Sequence, residues 1–299
     1  MKKCIAFVLS GGGARGAFQV GALKALIEAD YKPNLMVGTS VGAINSAYLA
    51  LHGVNLASVD KLIQVWHEAK QADLLPSNYL KLTLRTLVNR DLDYSAHHLR
   101  DFYIAHGLGP ELTFTDIKSV RLITVAADLN SGKPVLYGTN PQDSVLEGVL
   151  ASTALPPWVP PMEKGDRLLV DGGVVSVLPL EVAIKAGASE IIALDVSDSR
   201  PLNLPIHGVV TLLGKVVTTT NHRQIELEMA LSQAMGIPVR HLQLFGDDPV
   251  AIWDFDQTEA RISKGYELTR QNIDLWKSEP QSWLSRWLRG NKTRSRAVD

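Results

Sequence analysis

Through the first 200 residues, short apolar runs alternate with longer segments whose apolar positions recur at helical spacing. The runs at 4–10 (CIAFVLS), 34–40 (NLMVGTS), 121–129 (RLITVAADL), 167–173 (RLLVDGG) and 190–197 (EIIALDVS) are nearly continuous in apolar residues. Such continuity marks strands covered on both faces, whereas a half-exposed strand alternates strictly. Between them, segments 15–29, 41–52, 57–70, 97–105, 144–152 and 179–187 read as helices. This order predicts a mainly parallel sheet with helices on both faces. GKPVLYGTN (132–140) reads as a hairpin partner of the 121–129 strand, turning at Asn130, Ser131 and Gly132.

Three stretches break the rhythm. Residues 72–96 have the look of a cap or lid, and ALPPWVPP (154–161) is a stiff, proline-rich loop. Either can wall an apolar groove or simply be surface. After about residue 200 the pattern turns helical, with segments 208–235 and 256–277 separated by IPVRHLQLFGDDP. The expected organisation is a catalytic domain over 5–200 and a helical C-terminal extension over 201–299. The chain closes on a tail in which Trp283, Leu284, Trp287 and Leu288 share a helical face, accompanied by Arg286, Arg289, Lys292, Arg294 and Arg296. That face can dock on its own domain, or lie on an anionic bilayer as a peripheral contact.

Composition narrows the functional classes. The chain has 299 residues, 45% hydrophobic and 20% charged, with a net charge of −1. A near-neutral balance argues against nucleic acid as a partner. The single cysteine, Cys4, rules out an intrachain disulfide and any multi-cysteine metal site. The apolar run after Lys2 and Lys3 is short and lacks a small-residue cleavage pattern, so no signal peptide is expected. No stretch approaches the roughly 20 apolar residues of a membrane span. The expected location is cytoplasmic, with peripheral contact at the inner membrane face if the tail reaches it.

Residues 38–42 read GTSVG, between an apolar strand and a good helix. G-x-S-x-G in a strand–turn–helix context places a serine, here Ser40, on a strained turn, and Gly38 and Gly42 clear the space around it. The helix that follows directs its positive end at an anion formed there. GGGARG at 11–16 follows the first strand and can supply backbone N–H donors to that anion. Arg15 in this loop either adds charge to it or is a solvated first-turn residue. Asp171 ends a buried strand and precedes Gly172 and Gly173. It is either a base for the serine or an aspartate bonded to its own turn.

In that order, GGGARG, GTSVG and DGG resemble the motifs of the patatin-like phospholipase family, and ASTALPP (151–157) resembles a further family segment. The resemblance covers residues 5–200. It implies a three-layer α/β/α sandwich and hydrolysis of lipid acyl esters, of the phospholipase A or lysophospholipase type, by a Ser–Asp dyad without metal or cofactor. By position Ser40 is the nucleophile, Asp171 the proton acceptor, and Gly11, Gly12 and Gly13 the oxyanion hole. Arg15, Gly16, Gly38, Gly42, Gly172 and Gly173 support them.

Three rival readings make different demands. A dinucleotide fold would use G-x-G-x-x-G with an acid ending the second strand, but Asp30 lies before that strand and GTSVG occupies its end. A Ser-His-Asp hydrolase would recruit His207, His222 or His241, none of which has a motif around it. A lipid-binding protein with a relic site would keep the motifs without turnover.

Overall fold

The computed structural model describes residues 3–72, 74, 92–156, 158–198 and 208–278. The strands are β1 (Ile5–Leu9), β2 (Leu35–Thr39), β3 (Arg121–Asp128), β4 (Lys133–Tyr137), β5 (Met162–Lys164), β6 (Arg167–Asp171), β7 (Glu190–Asp195) and β8 (Val239–Gln243). They form one eight-stranded sheet in the order β5-β6-β3-β2-β1-β7-β8, with β4 paired to β3. β3, β2, β1, β7 and β8 run parallel to their neighbours along this path, while β4 and β6 run antiparallel to β3. The mainly parallel sheet expected from the apolar runs is therefore present, with the β3–β4 hairpin.

The helices are α1 (Gly16–Glu28), α2 (Val41–His52), α3 (Leu56–Gln71), α4 (Leu92–Ala105), α5 (Val145–Ser152), α6 (Leu180–Lys185), α7 (Gly208–Ala234) and α8 (Thr258–Ser278). Two apolar clusters show how the layers form. Phe7, Leu9, Met36, Ile192 and Leu194 face one side, packing with residues of α1, α2, α3, α5 and α8. Ala6, Val8, Leu35, Val37, Ile191 and Ala193 face the other, with Leu180 and Val182 of α6 and Ile225 of α7. Successive strand residues alternate between the clusters, as a period of two requires. Both sides are apolar because both are covered.

Two strands depart from the sequence expectation. β5 is a three-residue edge strand turned onto β6 through Gly165. β8 lies in the stretch that sequence alone separates two helices with, yet it pairs parallel to β7 over Ile191–Asp195. Its VRHLQ sequence carries little strand signal. Tertiary partners hold it instead: Arg240 bonds Glu190 at 3.2 Å and His241 bonds Asp195 at 2.9 Å. The region after residue 200 thus contributes an edge to the sheet as well as helices. Among the described residues, no helix is long and apolar enough to cross a membrane.

Candidate active site

Strand register alone brings two of the singled-out residues together. β4 and β6 both pair with Ala126–Asp128, so they flank β3 on opposite edges. β2 shares Thr124 and Val125 with β4, so β2 and β6 occupy the same edge. They approach from opposite directions: Thr39 ends β2 opposite Val125, and Asp171 ends β6 opposite Ala126. The carboxyl ends of the two strands meet nose to nose, with Ser40 and Asp171 at the junction.

Ser40 has φ 55° and ψ −125°, a left-handed conformation that a residue with a Cβ rarely adopts. Several bonds hold the strain. Its N–H donates to Ser152 Oγ at 2.9 Å, and that hydroxyl donates onward to the Val125 carbonyl at 2.6 Å. Its carbonyl accepts from the Ala43 and Ile44 N–H groups, opening α2. A Cβ on Gly42 would collide with the Leu9 carbonyl, and one on Gly38 with that of Gly42, so the turn tolerates only glycine at either flank.

Asp171 is 4% exposed. Its N–H donates to the Ala154 carbonyl at 2.8 Å, and one carboxylate oxygen accepts from the Gly173 N–H at 2.8 Å. The aspartate therefore does bond its own turn, and a second oxygen remains for another partner. Burial raises its pKa to about 6, while the facing Ser40 hydroxyl and the Gly173 N–H restrain the rise.

The Gly-rich loop is tied down unevenly. The Gly11 N–H donates to the Val177 carbonyl at 2.9 Å, and the Ala14 N–H to Ile252 at 2.7 Å. Gly11 was expected among the oxyanion donors. The structure corrects this, because its N–H is already engaged. The Gly12 carbonyl accepts from both the N–H and the Nε of Arg15, the latter at 3.1 Å. Since a trans peptide points its C=O and N–H in opposite directions, the Gly13 N–H faces away from Arg15. Gly13 has φ 56° and lines the same cavity as Ser40 and Asp171. Among the described residues, neither the Gly12 nor the Gly13 N–H has a hydrogen-bond partner. Arg15 is half-buried rather than solvated; burial lowers its pKa, and Asp198 and Asp195 oppose that.

The turn after Asp171 is a junction. Ser176 accepts from the Thr39 hydroxyl at 2.9 Å through its carbonyl, just before Ser40. Its own hydroxyl donates to Glu228 of α7 at 2.5 Å, and the Glu181 N–H donates to the other Glu228 oxygen at 2.5 Å. Gln224 accepts from the Val177 N–H at 3.0 Å and donates to the Val174 carbonyl at 3.0 Å. One loop thus joins the serine turn, the Gly-rich loop and α7.

Ser40, Asp171 and Gly13 open onto an apolar cavity walled by Leu62 and Trp66 of α3, Leu99 and Phe102 of α4, and Leu155 and Phe255. Trp66 also sets the cavity in register with the Gly-rich loop. Its indole N–H donates to Asn45, Asn45 donates to Gln19, and Gln19 donates to the carbonyls of Ser10 and Leu194. Every link is 2.9–3.2 Å long and buried. Asn45 also bonds the Gly16 carbonyl at 3.2 Å.

No described histidine lines this cavity. His222 pairs with Glu226 on α7 and His241 with Asp195, while His207 lies outside the described residues. Asp30, the acid a dinucleotide site would need, is exposed before β2 and paired with Lys32. Most of the 72–96 segment and the whole Trp/Arg tail also lie outside the described residues. Of ALPPWVPP, Leu155 walls the cavity and Trp158 stacks on Trp253 with centroids 5.9 Å apart. Sequence reasoning missed Ser152, Gln19, Asn45, Gln224 and Glu228. ASTALPP was the only signal for any of them, and it did not say which residue mattered.

Comparison with known proteins fits this geometry. Neuropathy target esterase sws of Drosophila melanogaster is 30% identical over 210 residues, covering 68% of this chain and 14% of that protein. Patatin-like phospholipase domain-containing protein 7 of Mus musculus is 30% identical over 304 residues, covering 91% of this chain and 21% of that one. The chain therefore spans only a minor part of these relatives. VipD from Legionella pneumophila, at 15% identity and a TM-score of 0.51, shares the fold over 92% of this chain and 67% of its own. The profile of the patatin-like phospholipase family matches residues 7–184, the span that contains the Gly-rich loop, the Ser40 turn and Asp171. The chain belongs to the patatin-like phospholipase family.

Proposed function

We propose that the protein hydrolyses acyl esters of lipids, with Ser40 as nucleophile and Asp171 as its base. The observation that carries this reading is the meeting of a strained serine and a buried, pKa-raised carboxylate at the mouth of an apolar cavity. The cavity suits an acyl chain, and its polar groups cluster where the ester carbonyl would sit. The substrate class is a phospholipid or lysophospholipid.

Ser40 Oγ attacks the ester carbonyl as Asp171 takes its proton. The tetrahedral oxyanion is held by the N–H groups of Gly12 and Gly13. A donor so placed lowers the barrier by about 3 kcal/mol. Collapse breaks the C–O bond, and the leaving alcohol takes the proton back from Asp171. Water then attacks the acyl-serine with Asp171 again as proton acceptor, releasing the fatty acid and restoring Ser40. A carboxylate with a pKa of about 6 is ionised at neutral pH yet a stronger base than an exposed aspartate.

The test is a panel of lysophospholipid, diacyl phospholipid and p-nitrophenyl esters, run with the wild type, Ser40→Ala and Asp171→Asn. Fluorophosphonate labelling should map to Ser40. Turnover that survives in Ser40→Ala contradicts the assignment. A wild type that binds lipid but hydrolyses none of the panel replaces it with a binding role.

A further inference from the structure

The helix α7 is longer than the sheet it packs on. At its carboxyl end, the chain passes to Pro238, whose carbonyl accepts from the Ile191 N–H at the amino end of β7. Ten residues earlier, Gln224 bonds Val177, whose carbonyl receives the Gly11 N–H just past the carboxyl end of β1. The stretch from Gln224 to Ala234 therefore spans the full height of the sheet. Residues 208–223 continue beyond it by about 24 Å at 1.5 Å per residue. They leave from the carboxyl edge, the edge that carries Ser40. Burial agrees: no described side chain from Leu212 to Gln224 is buried, and Ile225 is the first that is.

The projecting arm is apolar where it should be polar. Leu212, Val216 and Val217 are 47%, 50% and 55% exposed, and Val174, three residues past Asp171, is 54% exposed. Leu212 and Val216 are one turn apart on one face, while Val217 lies two turns above Gln224 on the face that points toward the body. Apolar residues on more than one face mark a helix that is covered on more than one side. The arm's sequence, GVVTLLGKVVTTTNHR, is rich in β-branched residues and contains Gly214, so it is a poor autonomous helix that needs packing. Over 208–223 the formal charges are Lys215 and Arg223, and Arg223 pairs with Glu226 at 2.9 Å, which leaves Lys215 as the arm's cation.

From these features we infer that the arm of α7 docks into an anionic lipid surface. The inference builds on the proposed lipid hydrolysis and adds where the surface is met. Acyl chains take up the arm's apolar residues, and an anionic headgroup meets Lys215 at the same surface. Gln224 and Glu228 fasten the root of the arm to the turn after Asp171. A bilayer under the arm is then held at a fixed offset from the turn that carries Asp171.

The full-length chain, carrying Ser40→Ala so that vesicles stay intact, is sedimented with phosphatidylglycerol or phosphatidylcholine vesicles. Binding should favour phosphatidylglycerol at least tenfold and weaken with salt. Adding Val216→Asp and Val217→Asp should reduce it at least tenfold, and Lys215→Glu severalfold with the melting temperature unchanged. In the otherwise wild-type chain, the same arm variants should hydrolyse soluble p-nitrophenyl butyrate at the unmodified rate. That assay reports the chemistry separately, so its failure overturns the proposed function and leaves the docking measurement intact. Vesicle binding absent from the parent chain, or unchanged in both arm variants, overturns the inference. Conversion of a parent dimer to a monomer by Val216→Asp and Val217→Asp, with vesicle binding unchanged, assigns the arm to a second copy instead.

Discussion

Residues 7–184 and residues 208–278 contribute to the site in different ways. The first span carries the proposed reacting groups, Ser40, Asp171 and the Gly12 and Gly13 amides, on turns at the ends of strands. The second carries no proposed reacting group, yet it grips the same turns from outside. Gln224 and Glu228 bond the segment from Val174 to Glu181, and Ile252 accepts from Ala14. Phe255 packs on Trp66 with centroids 6.0 Å apart. The proposed chemistry lies within the first span, whereas part of the bracing on its turns comes from the second. A family match that ends at residue 184 therefore leaves out Gln224, Glu228 and Ile252, which brace these turns from outside.

Substitutions in the two spans should separate sharply. Ser40→Ala and Asp171→Asn are expected to lower kcat by about 10³-fold or more, since members of one nucleophilic unit fail together. Asp171→Asn carries a second signature. Because the folded pKa is raised, the native state holds a proton between about pH 4 and pH 6 that the unfolded chain has lost, so wild-type stability falls as pH rises through this window. Above pH 6, Asp171→Asn should be more stable than the wild type by up to about 3 kcal/mol, a gap that closes below pH 4 in thermal melts. A variant that is inactive and also unstable at pH 8 would assign Asp171 to structure.

Next in size is Ser152→Ala. It leaves the Ser40 N–H and the Val125 carbonyl buried without their partner, at about 1–3 kcal/mol. Part of that should appear as a 10- to 100-fold loss in kcat with KM little changed. A loss confined to stability would reduce Ser152 to a packing residue. Smaller again, Gln224→Ala and Glu228→Gln should lower kcat severalfold while leaving the cavity, and hence KM, nearly intact. Equal activity in both would dissolve the contrast between the two spans, and a loss as large as that of Asp171→Asn would move α7 into the reaction itself.

The sequence was most legible where one local rule decides the outcome. Apolar runs located β1, β2, β3, β6 and β7, because strands buried on both faces have nothing polar to interrupt them. GTSVG located the serine turn because glycine is the only residue that clears the Leu9 and Gly42 carbonyls. β8 was hidden, since an edge strand held by Arg240 and His241 depends on acids some 50 residues earlier in the chain. The Trp66–Asn45–Gln19 chain was hidden for the same reason: an amide inside a helix looks the same in sequence whether it meets water or another amide. Gly11 was misjudged as a donor because a glycine motif does not reveal which N–H is already taken, here by Val177.

The central claim, that Asp171 is the base for Ser40, is tested most directly by the pH dependence of Ser40 labelling with a fluorophosphonate. The account predicts a rate that rises with one ionisation near pH 6 and then levels off. In Asp171→Asn it should be flat and about 100-fold slower or more, and histidine substitutions should leave the profile unchanged. A wild-type profile retained in Asp171→Asn, or one abolished by replacing His241 or His222, would contradict it.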